Sequence, residues 1–130
     1  MDPFRTHGAP SWSELVTTDP AAAASFYREL LGWEIEPMDM EGGKYHVVKV
    51  AGEAHAGIMT LPPGSPPRPP SWGVYVTVDD VDASAERAKA LGGQVLLAPT
   101  DVVGVGRFAL VADPQGAMLH LITYGVQTGD

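Results

Sequence analysis

The chain has 130 residues, no cysteine and a formal net charge of −8 at pH 7. This length suits a single domain, and the lack of cysteine excludes disulfides, thiolate metal sites and a catalytic thiol. Acidic residues outnumber lysines and arginines by 16 to 8, which would repel nucleic acid and anionic lipid, so neither is an expected partner. The first residues lack a signal-peptide core and no apolar run could cross a bilayer, so we expect a cytoplasmic protein.

The first predicted strand covers residues 11–17, after a loose lead-in over residues 1–10, and a helix is predicted over residues 21–31. Asp19 is a good N-cap, because its carboxylate can accept from the free amides of the first turn, and Pro20 suits the first helical position. Apolar residues at helical spacing predict a stripe that lies on an apolar surface. The stripe consists of Ala23, Phe26, Tyr27, Leu30 and Leu31.

After Gly32, which can end the helix in the left-handed conformation, three more strands are predicted. They cover residues 33–38, 45–50 and 55–61, with turns at residues 41–44 and 51–54. Residues 62–70, PPGSPPRPP, cannot enter a sheet because proline lacks an amide donor, so they are a predicted linker. A ligand for an adaptor domain is the alternative interpretation of this run, but its place between two repeats favours the linker.

The same order of elements then returns, and residues 47–61 resemble residues 108–122. A strand is predicted at residues 72–78, a helix at 80–91 with Val81, Ala85, Ala88 and Leu91 inward, and strands at 94–98, 107–112 and 117–124. The sequence therefore predicts one domain over residues 1–130, built from two β-α-β-β-β repeats at about residues 11–61 and 72–124.

Several motifs resemble the vicinal oxygen chelate superfamily, which includes glyoxalase I, extradiol dioxygenases and bleomycin-resistance proteins. They are FYRELLGW after Asp19, VDDVD and LGG around the second helix, and DPQGAMLHL near the end. The chain is most similar to bacterial glyoxalase-like members with the pattern P-x-W-x-E-L-x-T-x-D. The resemblance implies an α+β fold whose two modules curl into incomplete barrel cups, and a homodimer.

For enzymes of this superfamily, the resemblance also implies a divalent metal held by the first and last strand of each module. Carried onto this sequence, those positions are Trp12, Gly73, His120 and either Met59 or Gly57. Tryptophan and glycine side chains cannot bind a hard cation, and a thioether binds it poorly. We therefore do not expect the usual metal site.

An alternative metal site uses neighbouring positions on the same strands. Because side chains alternate along a strand, Glu14 shares the face of Trp12, and His55 shares that of Met59. With His120 they would give two imidazoles and a carboxylate for iron, zinc, nickel or manganese, and so a metal-dependent lyase, isomerase or dioxygenase. Each also has a structural explanation: Glu14 hydrogen-bonded to a neighbour, His55 solvated, and His120 packed in the core.

The favoured function is a small-molecule-binding protein of the glyoxalase and bleomycin-resistance type, without a cofactor and with catalysis left open. Its expected ligand-binding residues are Trp12, Glu14, Met59, Trp72, Tyr75, Thr77, Met118 and His120, which give an aromatic- and methionine-lined cup. Arg107 could bind an anionic ligand or form a surface salt bridge, and we favour the salt bridge. Tyr45 and His46 point oppositely, so only one can enter the cup. A protein-interaction module is a third, less favoured class.

Overall fold

The structure is a computed structural model that describes residues 1–40, 43–61 and 67–125. Half of the predicted turn at residues 41–44, and residues 62–66 of the predicted linker, lie outside the described residues. The chain divides into two compact units. The first unit is Trp12–Gly73, and the second unit joins Met1–Ser11 to the chain from Val74 onward.

The first unit contains a β-α-β-β-β order of elements. They are β1 (Pro10–Val16, from Trp12 onward in this unit), α1 (Pro20–Leu31), β2 (Glu34–Met40), β3 (Gly43–Val50) and β4 (Glu53–Met59). The strand order is β2-β3-β4-β1, with β1 parallel to β4 and the other neighbours antiparallel. Helix α1 covers one face of these strands, and the core beneath it consists of Leu15, Ala24, Ile35, Val48, Ala56 and Ile58.

Both ends of α1 are capped as predicted. The Asp19 carboxylate accepts a hydrogen bond of 3.0 Å from the amide of Ala22. At the other end Gly32 has a φ of 71°, and its amide donates to the carbonyl of Arg28. An L side chain is strained in this left-handed conformation, so glycine is the residue that lets the chain leave the helix and begin β2.

The buried face of α1 is narrower than the sequence predicted. Ala23, Ala24 and Tyr27 pack on the core, and the short alanine side chains let the helix lie close to the strands. Phe26 lies about 100° around the helix axis from Tyr27, at the side of this contact. The predicted stripe is wrong for three members, which are 57%, 61% and 52% exposed: Phe26, Leu30 and Leu31.

The second unit repeats the same order of elements. They are β5 (Ser71–Thr77, from Val74 onward in this unit), α2 (Val81–Ala90), β6 (Gln94–Val102), β7 (Gly106–Ala112) and β8 (Met118–Tyr124). The strand order is β5-β8-β7-β6, with β5 parallel to β8. The core under α2 consists of Val78, Val81, Ala109, Val111 and Leu121, whereas Leu91, predicted inward, is exposed. The α+β class and the two β-α-β-β-β repeats are confirmed.

Strand β6 is longer than the predicted strand at residues 94–98. It runs to Val102 and includes Pro99, where the pairing with β7 shifts between Leu97 and Thr100. A proline fits a strand at such an irregularity, because no ladder hydrogen bond is required of its nitrogen. Among the described residues, no helix is long and apolar enough to cross a membrane.

Residues 1–10 are not a loose lead-in, and that prediction is wrong. The amide of Gly8 donates to the carbonyl of Thr77 at 2.7 Å, and the amide of Thr77 donates to the carbonyl of Ala9 at 2.9 Å. The Thr77 hydroxyl donates to the carbonyl of Pro3, also at 2.7 Å. The N-terminal segment is therefore fastened to the end of β5 by backbone and side-chain hydrogen bonds.

Arg107 forms the salt bridges that we favoured for it. Its guanidinium donates to both carboxylate oxygens of Asp82 on α2, at 2.9 and 3.0 Å, and to Asp101 on β6 at 3.0 Å. These bonds, first to Asp82 and then to Asp101, raise the pKa of Arg107. The hydrogen bond from Arg107 lowers the pKa of Asp82 in turn. Arg107 therefore joins the first turn of α2 to the strands.

Replacing Asp82 by asparagine should make the unfolding free energy less dependent on pH in the acid range. A carboxyl group whose pKa is lowered in the folded state stabilises that state at pH values above its unfolded-state pKa of 3.8. This stabilisation is lost as the pH falls through the folded-state pKa. We expect Asp82→Asn to be less stable than the wild type at about pH 7 and to converge with it as the pH falls below the folded-state pKa of Asp82. Urea unfolding across this range measures the difference, and curves that stay parallel would contradict it. Glu29→Gln, on the exposed side of α1, is the control for net charge.

Candidate functional site

Each unit has one strand face that its helix does not cover, here called the helix-free face. Because side chains alternate along a strand, the residues between the core positions lie on this face. In the first unit it carries Trp12, Glu14, Tyr45, Gly57 and Met59. In the second unit it carries Tyr75, Thr77, Phe108, Met118 and His120. All the predicted ligand-binding residues except Trp72 lie on these two faces.

Backbone pairing aligns the two units and corrects the internal match drawn from sequence. Glu14 lies opposite Gly57 in the first unit, and Tyr75 lies opposite His120 in the second. Glu14 and Tyr75 stand equally far before the N-caps of their helices, so Gly57 is the counterpart of His120. The sequence match that made Met59 the counterpart of His120 is therefore shifted by two residues. Such a shift keeps every residue on the same strand face, so the hydrophobic pattern cannot detect it.

The same alignment pairs Tyr45 with Phe108. His46 lies opposite Ile58 on β4, and Ala109 lies opposite Leu121 on β8. The residue before each, Tyr45 or Phe108, therefore occupies the same place in its unit. Three positions in each unit thus correspond, with Glu14, Tyr45 and Gly57 matching Tyr75, Phe108 and His120.

In the first unit, Tyr45 fills the space that a side chain at position 57 would take. A Cβ atom placed on Gly57 would overlap the hydroxyl and ring carbons of Tyr45. Glycine inside a strand commonly marks such a close approach. The sequence analysis did not single out this pair, although the glycine between Ala56 and Ile58 was a usable signal.

Tyr45 links Trp12 to Glu14 through a chain of two hydrogen bonds. The indole nitrogen of Trp12 donates to the Tyr45 hydroxyl at 2.9 Å, and that hydroxyl donates to Glu14 Oε2 at 2.7 Å. The direction is fixed, because an indole nitrogen can only donate, so the tyrosine proton points to the carboxylate. Glu14 is only 7% exposed and lies at the acceptor end of this chain.

In the second unit, the corresponding positions hold three rings. Tyr75 and His120 stack with ring centroids 4.2 Å apart and an interplanar angle of 14°. Phe108 lies 6.2 Å from each of them, in tilted arrangements. His120 is 9% exposed, so it is a packed aromatic residue as well as the residue at a family metal position.

The other predicted residues have separate surroundings. Met59 is half-buried and Met118 is exposed, whereas Thr77 is buried with its hydroxyl bonded to Pro3. Trp72 lies beside α1, where its indole nitrogen donates to the Tyr27 hydroxyl at 3.1 Å. The structure therefore does not bring Trp72 to the helix-free face.

Tyr45, not His46, lies on the helix-free face. His46 lies on the opposite face of β3, and its pKa is lowered by burial first, then by the charges of Arg28 and Lys44. Its Nδ1 atom has no hydrogen-bond partner within the described parts of the chain. His46 is therefore a neutral residue on the helix side and not part of the candidate site.

The donor set at the family's metal positions does not fit a divalent cation. Trp12 offers only an N–H, which it donates to Tyr45. Gly57 and Gly73 have no side chain, so His120 is the one possible ligand among these four positions. Of the alternative set, His55 is exposed and lies 3.9 Å from Glu53. Within residues 1–40, 43–61 and 67–125, no three histidine or acidic side chains are grouped to hold a metal ion.

The fold and these positions define a glyoxalase-like protein. The profile of the Glyoxalase/Bleomycin resistance protein/Dioxygenase superfamily matches residues 9–121, and the chain belongs to this superfamily.

Among its relatives, the Mycobacterium tuberculosis protein named "Putative glyoxylase CFP32" is 42% identical over 117 residues, covering 88% of this chain and 45% of the relative. The anthracycline biosynthesis protein DnrV of Streptomyces peucetius is 36% identical over 135 residues, covering 94% of this chain and 49% of its own length. The chain thus spans about half the length of these curated relatives. The crystal structure of methylmalonyl-CoA epimerase from Mycobacterium tuberculosis has a TM-score of 0.64 at 18% identity, covering 91% of this chain and 89% of that one, and shares the fold.

Proposed function

We propose that this protein binds a planar small molecule on a helix-free face and does so without a metal ion. The observation that carries the proposal is the Tyr45 side chain, which takes the space of a ligand side chain at position 57 and uses the Trp12 N–H. Tyr45 thereby occupies both family metal positions of the first unit: it fills the space beside Gly57 and accepts the hydrogen bond of Trp12. Aromatic rings at the corresponding places in the second unit suit stacking on a flat ligand.

The names of the relatives support a ligand of this kind. DnrV is named for the biosynthesis of anthracyclines, which are flat aromatic compounds, and it is similar to nearly all of this chain. The other relative is named as a glyoxylase, which favours the metal-dependent lyase or isomerase as the second candidate. In that candidate Glu14, His55 and His120, which are not grouped in the structure, would have to come together to hold iron, zinc, nickel or manganese. The homodimer expected from the family resemblance is part of the proposal.

The first experiment is elemental analysis of the purified, tag-free protein after incubation with iron, zinc, nickel and manganese in turn, followed by dialysis. We expect no metal to be retained in stoichiometric amount, because the donor set lacks the three ligands that such sites use. Retained metal that is lost in both His55→Ala and His120→Ala would overturn the proposal and support the second candidate.

The binding arm of the experiment uses tryptophan fluorescence, since Trp12 lies on a helix-free face. Flat polycyclic compounds should quench the wild type in a saturable way, and Trp12→Phe should lose most of that quenching while Trp33→Phe, under α1, keeps it. Quenching that is linear in all three proteins would contradict a binding site.

The homodimer is tested separately, by light scattering after size-exclusion chromatography, which measures the oligomeric state.

A further inference from the structure

An aromatic ring from the start of the chain lies on the helix-free face of the second unit. Side chains alternate along β8, so Tyr124 shares the face of His120. The Phe4 ring packs edge-to-face on the Tyr124 ring, with centroids 5.0 Å apart and an interplanar angle of 81°. Both residues belong to the second unit, because this unit includes Met1–Ser11. The chain itself therefore supplies an aromatic partner to this face.

A hydrogen bond holds the same segment on the neighbouring strand β5. Thr77, an expected ligand contact, donates its hydroxyl to the carbonyl of Pro3 at 2.7 Å. Tyr75 stands two residues before Thr77, about 7 Å along the strand, and stacks on His120. The start of the chain thus engages Thr77 and Tyr124, one or two residue pairs beyond these stacked rings.

Residues 2–7, here called the N-terminal turn, are also bonded among themselves. The Asp2 carbonyl accepts from the Thr6 hydroxyl at 2.7 Å and from the Arg5 amide at 3.1 Å. Phe4 is 39% exposed even when it is packed on Tyr124. The turn can therefore leave the face as one piece, since its own bonds are kept and water can replace the partners that it loses.

Two backbone amides mark where the movable part ends. The amide of Asp79 donates to His7 Nδ1 at 3.0 Å, in an exposed place. The amide of Thr77 donates at 2.9 Å to the carbonyl of Ala9, which is buried. Departure of the N-terminal turn would break the bond at Asp79 and leave the bond at Thr77 in place.

We propose that the helix-free face of the second unit is a further site for a flat aromatic ligand, and that the N-terminal turn competes with the ligand for it. A ligand ring takes the place of Phe4 against Tyr124, and a ligand carbonyl accepts the bond that Thr77 now donates to Pro3. This inference rests on the proposed function for the kind of ligand. It adds a site that the fluorescence of Trp12, in the first unit, does not report.

The first test compares the binding of acridone, a flat neutral compound with one carbonyl, by fluorescence polarisation. We expect Phe4→Ala to bind it about two- to tenfold more tightly than the wild type. An edge-to-face ring pair contributes a free energy of that size, and the apparent affinity falls with the fraction of protein whose site is closed. Phe26→Ala is the matched control, because Phe26 is an exposed phenylalanine of the first unit. It should bind acridone as the wild type does.

The second test follows amide hydrogen exchange in the wild type, so it does not depend on how a variant folds. Saturating acridone should speed the exchange of the Asp79 amide and should not speed that of the Thr77 amide. Exchange at Asp79 that is unchanged or slower would overturn the inference.

The outcomes separate this inference from the proposed function. Acridone that binds the wild type and Phe4→Ala equally well would overturn the inference alone. Binding to Phe4→Ala but not to the wild type would support the inference. Binding to none of the three proteins would overturn the inference and the proposed function together.

Discussion

Replacing Gly57 by alanine is expected to destabilise the first unit by about 1–3 kcal/mol, the usual cost of inserting a methyl group into a filled space. The backbone of Gly57 does not have a positive φ, so alanine would not be strained there. The cost would come from the overlap of the new Cβ with the hydroxyl and ring of Tyr45. Displacing Tyr45 would also break its bonds to Trp12 and Glu14. Urea unfolding monitored by circular dichroism measures the change in unfolding free energy.

A double-mutant cycle identifies Tyr45 as the cause. Tyr45→Ala removes the ring, so adding Gly57→Ala to it should cost little. We expect a coupling free energy between the two positions of about 1–3 kcal/mol, the range found for residues in direct contact. If Gly57→Ala cost the same with and without the Tyr45 side chain, the contact would not explain the effect.

Replacing Tyr45 by phenylalanine should have the second largest effect. The ring still fills the space beside Gly57, but the Trp12 N–H loses its acceptor and Glu14 loses the hydroxyl that donates to it. Taking one partner from a buried polar group costs about 1–3 kcal/mol, and more where the group is charged. We expect a loss of that size in the unfolding free energy, together with a shifted tryptophan emission.

Tyr27→Phe is the matched control for this substitution. The Tyr27 hydroxyl also accepts from an indole N–H, that of Trp72 at 3.1 Å, but in an exposed place. Water can replace the lost partner there, so we expect a loss below about 1 kcal/mol. Similar losses for the two tyrosines would mean that the bond to Glu14 adds nothing to stability.

Sequence was a good guide where the signal is local. The caps at Asp19 and Gly32 depend on backbone geometry over one turn, and both helices begin where those rules place them. Trp12 likewise lies on the first strand, as predicted. Such predictions need no knowledge of what the segment packs against.

The candidate site was harder to predict, because its parts meet only across strands. The local sequence does not show whether Tyr45 or His46 lies on the helix-free face. This depends on which residue of β3, here Val48, enters the core. The role of Gly57 depends on a ring from β3, and its equivalence with His120 depends on strand pairing. A two-residue shift between repeats keeps every apolar residue on its own face, so hydrophobic pattern alone could not detect it.

The contact between Gly57 and Tyr45 also bears on how such a site can evolve. A metal-binding side chain introduced at position 57 would meet the tyrosine ring first, so that single change would be selected against for its loss of stability. Tyr45 would have to become small beforehand, and that step would by itself disturb Trp12 and Glu14. Each single substitution is therefore unfavourable on its own. Through this epistasis, Gly57 and Tyr45 together disfavour the evolution of a metal-binding side chain at position 57.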